Sequence, residues 1–219
     1  MGTAVTIDVP NLKNGSVIEA AFARLRGIDR QFSPYKKDSE LSRYNRGELN
    51  EQTLSQEMKH ILHACRRAEE KTDGYFSAWY GDGCDPSGYV KGWGIAEAEK
   101  VLESDGYKTY CVYIGGDILA RSDGKKIWKI GIQDPRDKQK TLNKLSISNG
   151  AVATSGTYER GRHIINPLTK KPADELLSIT VVGPDIITAD ILATAAFAMG
   201  KKGIDFIKKQ KGYRAIVIN

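Results

Sequence analysis

Disulfide chemistry, membrane-spanning runs and the common nucleotide-binding signatures are all missing from this 219-residue sequence. Only 3 cysteines are present. The odd count and the wide spacing of Cys65, Cys84 and Cys111 exclude a disulfide framework and a cysteine-based zinc site. Cys65 falls in a helical pattern and Cys111 in a strand pattern, so both read as small core fillers. No apolar run approaches the roughly 18 residues of a membrane span. The longest candidate, residues 186–199, is interrupted by Thr188, Asp190 and Thr194. The first residues carry no basic segment followed by an apolar stretch, so the chain as written is expected in the cytoplasm. Gly81-Asp-Gly-Cys-Asp-Pro86 begins like a dinucleotide fingerprint and fails at its third glycine position, where Pro86 stands. No glycine run leads into a lysine–serine pair.

What is present is an ordinary globular composition, 40% hydrophobic and 27% charged. It is enough to build a core without staples. The net charge of +6 suits an anionic ligand. Its lysines and arginines come as scattered pairs, such as Lys36-Lys37 and Lys170-Lys171, rather than as the stripe of a nucleic-acid binder. Nucleic acid is therefore not an expected partner.

Periodicity predicts strands and helices in alternating groups. A strand over 3–9 precedes a helix capped by Ser16. A long polar loop over 31–50 holds one helical turn near Glu40. Helices are expected over 55–72 and 90–103. Strands follow over 109–114, 117–120 and 128–132, with Asp134-Pro135 as a break. Strands over 142–148 and 151–155 flank Asn149-Gly150, a strong hairpin signal. A strand over 178–182, helices over 188–199 and 204–209, and a last strand over 213–218 complete the chain. Antiparallel-looking strand groups with intervening helices predict an α+β fold.

Three segments carry the candidate chemistry. In the apolar helix over 188–200, Asp190 and Thr194 are four apart and share a face. A carboxylate on so apolar a helix needs a partner. With a hydroxyl one turn on, it offers hard oxygen ligands for Mg2+. Alternatively, Thr188 caps the helix and Asp190 complements its positive end. In 153–167, Ser155, Thr157, Glu159, Arg160, Arg162 and His163 crowd together. His163 could accept a hydroxyl proton near neutral pH, or it is a surface histidine on a polar hairpin. In 85–93, Lys91 at a helix start after a tight turn could cradle a diphosphate. Gly88 and Gly115-Gly116 permit close backbone approach, although each segment taken alone is better explained by simple turn chemistry. Together the segments suggest cation-assisted attack on a phosphate group.

In their order along the chain, these motifs resemble the ApbE family, the FAD:protein FMN transferases. The resemblance covers Met1-Gly-Thr3, Phe32 to Asn45, Asp73-Gly74, Asp85-Pro-Ser-Gly-Tyr-Val-Lys-Gly-Trp93, Gly115-Gly-Asp-Ile118, Gly131-Ile-Gln-Asp-Pro135, Ala153-Thr-Ser-Gly156, His163-Ile164 with Pro167, and residues 188–200. It implies a T-fold-related α+β domain spanning 1–219, mostly antiparallel sheets with packed helices. It implies FAD as donor, Mg2+ as cofactor, and transfer of FMN to a threonine hydroxyl of an acceptor flavoprotein with release of AMP. Through it, Asp190, Thr194 and the Gly88 carbonyl become metal ligands. Met1, Tyr35, Lys36, Lys37, Ser77, Lys91, Ser155 and the Ile164 backbone become FAD contacts, and His163 the base. Ser77 stands where the family often has aspartate, and Asn166 where aspartate is usual before the proline. The same residues would also serve an FAD pyrophosphatase that uses water as acceptor, or a flavin-binding protein without turnover.

Overall fold

The computed structural model describes residues 3–81, 83–157 and 164–219. In chain order the elements are β1 (Val5–Asp8), α1 (Ser16–Phe32), α2 (Glu40–Asn45), α3 (Gln56–Lys71), α4 (Ser87–Ser104), β2 (Tyr110–Ile114) and β3 (Asp117–Arg121). They continue as β4 (Trp128–Asp134), β5 (Asp137–Ile147), β6 (Gly150–Gly156), β7 (Ile165–Asn166), β8 (Lys171–Pro172), β9 (Ser178–Gly183), α5 (Ile186–Met199), α6 (Lys202–Lys208) and β10 (Arg214–Ile218). Six strands form one sheet in the order β1-β2-β3-β6-β9-β10, and every neighbouring pair is antiparallel. The fold is α+β, as the strand grouping predicts.

Alternation along the strands divides this sheet between two layers. Val112, Ile114, Leu119, Ala151, Ala153, Ile179 and Val181 face a core shared with α1, α4 and α5. The intervening Ala120, Val152 and Val182 meet Trp128, Ile130, Ile132, Leu145 and Ile147 of the β4–β5 hairpin on the opposite face. A second helical core gathers the end of α1, α2, α3 and the 76–93 segment around Met58, Ile61, Phe76 and Trp93. No helix among the described residues is long and apolar enough to cross a membrane.

The sequence-based expectations need four corrections. Asn149-Gly150 does not close a hairpin. β5 pairs with β4 across Pro135-Arg136, while β6 inserts between β3 and β9. β6 is buried along nearly its whole length, whereas β5 is largely exposed, so the two strands belong to different layers. Asn149 instead binds the β3–β4 connection: its Oδ1 accepts from Ser122 N–H (3.0 Å) and its Nδ2 donates to Ser122 O (3.2 Å). The α1 cap position is Gly15 rather than Ser16. α5 begins at Ile186 and is capped by Asp185, whose Oδ1 accepts from Thr188 N–H at 2.7 Å, so Thr188 is not the cap. Finally, α4 starts at Ser87, which places Lys91 one turn inside the helix.

Candidate functional site

α5 is helical because alanine favours the helix through residues 193–198, and its β-branched opening, Ile186-Ile187-Thr188, is carried by the Asp185 cap and by packing. It is apolar all round because it lies between the two helix-side cores. α4 crosses it, with Gly88 and Gly92 one turn apart on the contact face. A Cβ at Gly92 would stand 3.1 Å from Asp190 Cβ and 3.0 Å from Ile186 O. A Cβ at Gly88 would stand 3.6 Å from Thr194 Oγ1. Two glycines on α4 thus face an aspartate and a threonine on α5, position for position, and the missing side chains leave room for them.

Asp190 is 2% exposed. Its Oδ2 accepts a hydrogen bond from Gly92 N–H at 2.9 Å. That N–H is the regular helical donor to the Gly88 carbonyl. Sharing it with Asp190 leaves that carbonyl with acceptor capacity, since a carbonyl oxygen has two lone pairs. Asp190 Oδ1 lies 3.7 Å from Lys91 Nζ. A second buried carboxylate, Asp117, lies 2.9 Å from the same ammonium through its Oδ2 and accepts from Thr154 N–H through Oδ1 at 3.1 Å. Burial, reinforced by the Asp117 charge, pushes the Asp190 carboxyl well above the usual carboxylate range. Burial also raises Asp117, and Lys91 opposes that shift. Among the described residues, two buried carboxylates share one ammonium, an arrangement that a cation would complete. Among the described residues, no three His, Cys, Asp or Glu side chains are grouped to hold a metal. A cation here would rely on carboxylate, hydroxyl and carbonyl oxygens together. Those are hard donors, suited to Mg2+.

Gly88, Lys91, Asp190 and Thr194 open into a cleft of about 340 Å³, and Asp117 lies behind its lining. Its walls include Tyr35, Ser77, Gly88, Lys91, Ser155, Ile164, Asp190 and Thr194, so eight of the residues singled out in the sequence meet in one place. Thr3, Tyr75, Phe76, Tyr80, Asp85 and Gly115 complete much of the remainder. Ser77 Oγ accepts from Trp79 N–H (3.0 Å) and Tyr80 donates to Asp85 Oδ2 (3.1 Å). Lys36 and Lys37 do not line the cleft, and Lys36 Nζ pairs with Asp29 Oδ2. Met1 and His163 lie outside the described residues. Asn166 has a turn-building role: Nδ2 donates to Ala198 O (2.9 Å), and Oδ1 accepts from Leu168 and Thr169 N–H (3.0 and 3.2 Å). Asp117 was not among the sequence-derived site residues. Its signal is a carboxylate that follows Gly115-Gly116 directly and opens an apolar strand.

A cleft floored by a carboxylate, with a helical ammonium and a glycine-built approach, is the kind of site that suits a phosphate ligand together with a cation. Comparison narrows the class. The sequence model of the ApbE family matches residues 1–83 and 80–217. The chain belongs to the ApbE family. The FAD:protein FMN transferase of Haemophilus influenzae is 28% identical, over 95% of this chain and 82% of that protein. The FAD:protein FMN transferase of Vibrio cholerae is 36% identical over 132 residues, which are 54% of this chain and 39% of that protein. The crystal structure of the ApbE protein of Thermotoga maritima superposes with a TM-score of 0.83 at 25% identity, covering 99% of this chain and 91% of that one.

Proposed function

We propose that residues 1–219 act as one transferase domain that moves FMN from FAD onto a threonine hydroxyl of an acceptor protein, with Mg2+ bound, and releases AMP. Flavin transfer is the activity that the family's relatives are named for, and the chain is an enzyme of that kind. The observation that carries the finer reading is the paired contact of Gly88 with Thr194 and of Gly92 with Asp190 at the cleft floor.

Asp190, Thr194 and the Gly88 carbonyl would hold the cation. When bound, Mg2+ supplies charge neutralisation for a diphosphate and its leaving phosphate. Lys91 presents its ammonium to the same diphosphate from α4. Tyr35, Ser77, Ser155 and the backbone at Ile164 enclose the rest of the dinucleotide. The family resemblance adds Met1, Lys36 and Lys37 to these contacts. In the transfer, the threonine oxygen forms a bond to the phosphorus of the FMN half, and the anhydride bond to the AMP half breaks. AMP departs carrying the bridging oxygen, and the hydroxyl proton passes to a base, the role the resemblance gives His163.

The test is incubation with FAD, MgCl2 and a candidate acceptor. A fluorescent acceptor band in a denaturing gel, with FMN added in the intact mass, supports transfer. Free FMN formed without acceptor would mean hydrolysis, and FAD recovered intact would mean binding alone.

A further inference from the structure

Asp117 and Asp190 compete for one ammonium, and the competition is uneven. Each aspartate commits one oxygen to a backbone amide: Asp117 Oδ1 to Thr154 N–H and Asp190 Oδ2 to Gly92 N–H. Each turns its other oxygen to Lys91, and the two carboxyl groups are also in hydrogen-bonding contact with each other. The ammonium rests on Asp117 Oδ2 at 2.9 Å and stands off from Asp190 Oδ1 at 3.7 Å. Asp117 is wholly buried at the first position of β3, after two glycines at positive φ. Thr154 of β6 fixes its direction.

We propose that Asp117 is a positioning residue that holds Lys91 aside, so that the ammonium does not cap Asp190 Oδ1 and a divalent cation can take that oxygen while the ammonium remains in the cleft. A lysine stem is flexible and its head is a point charge. Without Asp117, the ammonium would close onto Asp190, the other carboxylate within ion-pair reach of it among the described residues, and the oxygen it would cover is the one a cation needs. The proposal rests on the metal assignment of the proposed function. It goes beyond that assignment in giving Asp117 the task of keeping cation and ammonium side by side.

The test is a double-mutant cycle on Mn2+ affinity, read from the paramagnetic resonance signal of free Mn2+ without FAD or acceptor. Asp117→Asn keeps an acceptor for Thr154 N–H but no longer pairs with Lys91, and is expected to weaken Mn2+ binding by about tenfold or more. Lys91→Met should change the affinity by less than about threefold in the wild-type background, and should restore about fivefold or more in the Asp117→Asn background. An equal effect of Lys91→Met in both backgrounds overturns the proposal, as does unchanged affinity in Asp117→Asn. If the wild-type chain shows no saturable Mn2+ binding, the metal assignment falls and this role for Asp117 falls with it. Should Asp117→Asn fail to fold, the wild-type protein still decides. The 15N–1H signal of the Lys91 ammonium, identified by its loss in Lys91→Met, should persist when Mg2+ is added. Its disappearance into fast exchange on Mg2+ addition would overturn the proposal.

Discussion

Asp190 is the one carboxylate on a mostly apolar helix, and its surroundings explain both its cost and its use. Burial and the neighbouring Asp117 charge disfavour ionisation, while Gly92 N–H and Lys91 favour it. If it ligates the cation, Asp190→Ala lowers FMN transfer by about a hundredfold or more, measured as flavinylated acceptor per unit time with FAD and MgCl2 saturating. Unchanged transfer would remove it from the site. A stability test is independent of catalysis. A carboxyl whose folded pKa lies above its unfolded value binds more protons folded than unfolded. Its contribution is therefore fully present below the ordinary aspartate range and is lost as pH rises through the folded value. Asparagine resembles the protonated acid and does not titrate. In the presence of chelator, the melting temperature of Asp190→Asn minus that of the wild type should therefore grow as pH rises from 5 to 8. Each unit of the upward shift is worth about 1.4 kcal/mol. A difference that stays flat or shrinks with pH would contradict the raised carboxyl.

At the scale of elements, the site is a consequence of how closely α4 and α5 approach. Gly92→Ala would drive a methyl group against Ile186 O and Asp190 Cβ. It should cost about 1–3 kcal/mol and also weaken cation binding, because the residue it pushes is Asp190. Gly203 of α6 makes a still closer approach to α5, where a Cβ would overlap Ala196 O, but it lies away from the cleft lining. Gly203→Ala should lower the melting temperature and leave Mn2+ affinity within about twofold of wild type. Melts and Mn2+ titrations of both variants separate the two effects, and equal loss of Mn2+ affinity in both would sink the assignment of Gly92 to the site. The same contrast shows what a sequence makes legible. Asp190 and Thr194 could be paired from spacing alone, since helical periodicity is local. Their opposite numbers Gly88 and Gly92 lie about a hundred residues away, and nothing in their turn-like surroundings announces that contact. Asp117 escaped for that reason: its partners Lys91, Thr154 and Asp190 come from three other elements. Asn149-Gly150 misled in the opposite direction. Its local turn chemistry is real, but β6 is buried along nearly all of its length and finds its partners in β3 and β9.

At the scale of the whole molecule, the cleft draws its walls from both helix-side cores and from the strands between them. Gly88 and Lys91 belong to α4, Thr154 and Ser155 to β6, and Asp190 and Thr194 to α5, while Phe76 anchors the second helical core. A ligand spanning these walls binds only when both cores are formed, so its binding energy adds to folding stability by mass action. At a hundred times its dissociation constant a ligand contributes about 2.7 kcal/mol. For a chain of this size each kcal/mol is worth roughly 2–4 °C. FAD with MgCl2 should therefore raise the melting temperature by about 5–10 °C at that saturation. FAD with chelator should give a distinctly smaller shift, because the Asp190 carboxylate in the cleft floor, with Asp117 behind it, repels a diphosphate unless a cation lies between them. In Asp190→Ala the MgCl2-dependent part of the shift should vanish while any FAD-only part remains. A shift of the same size with and without chelator in the wild-type protein would mean that the dinucleotide binds without the cation, and the joint role of α4 and α5 in holding one would be wrong.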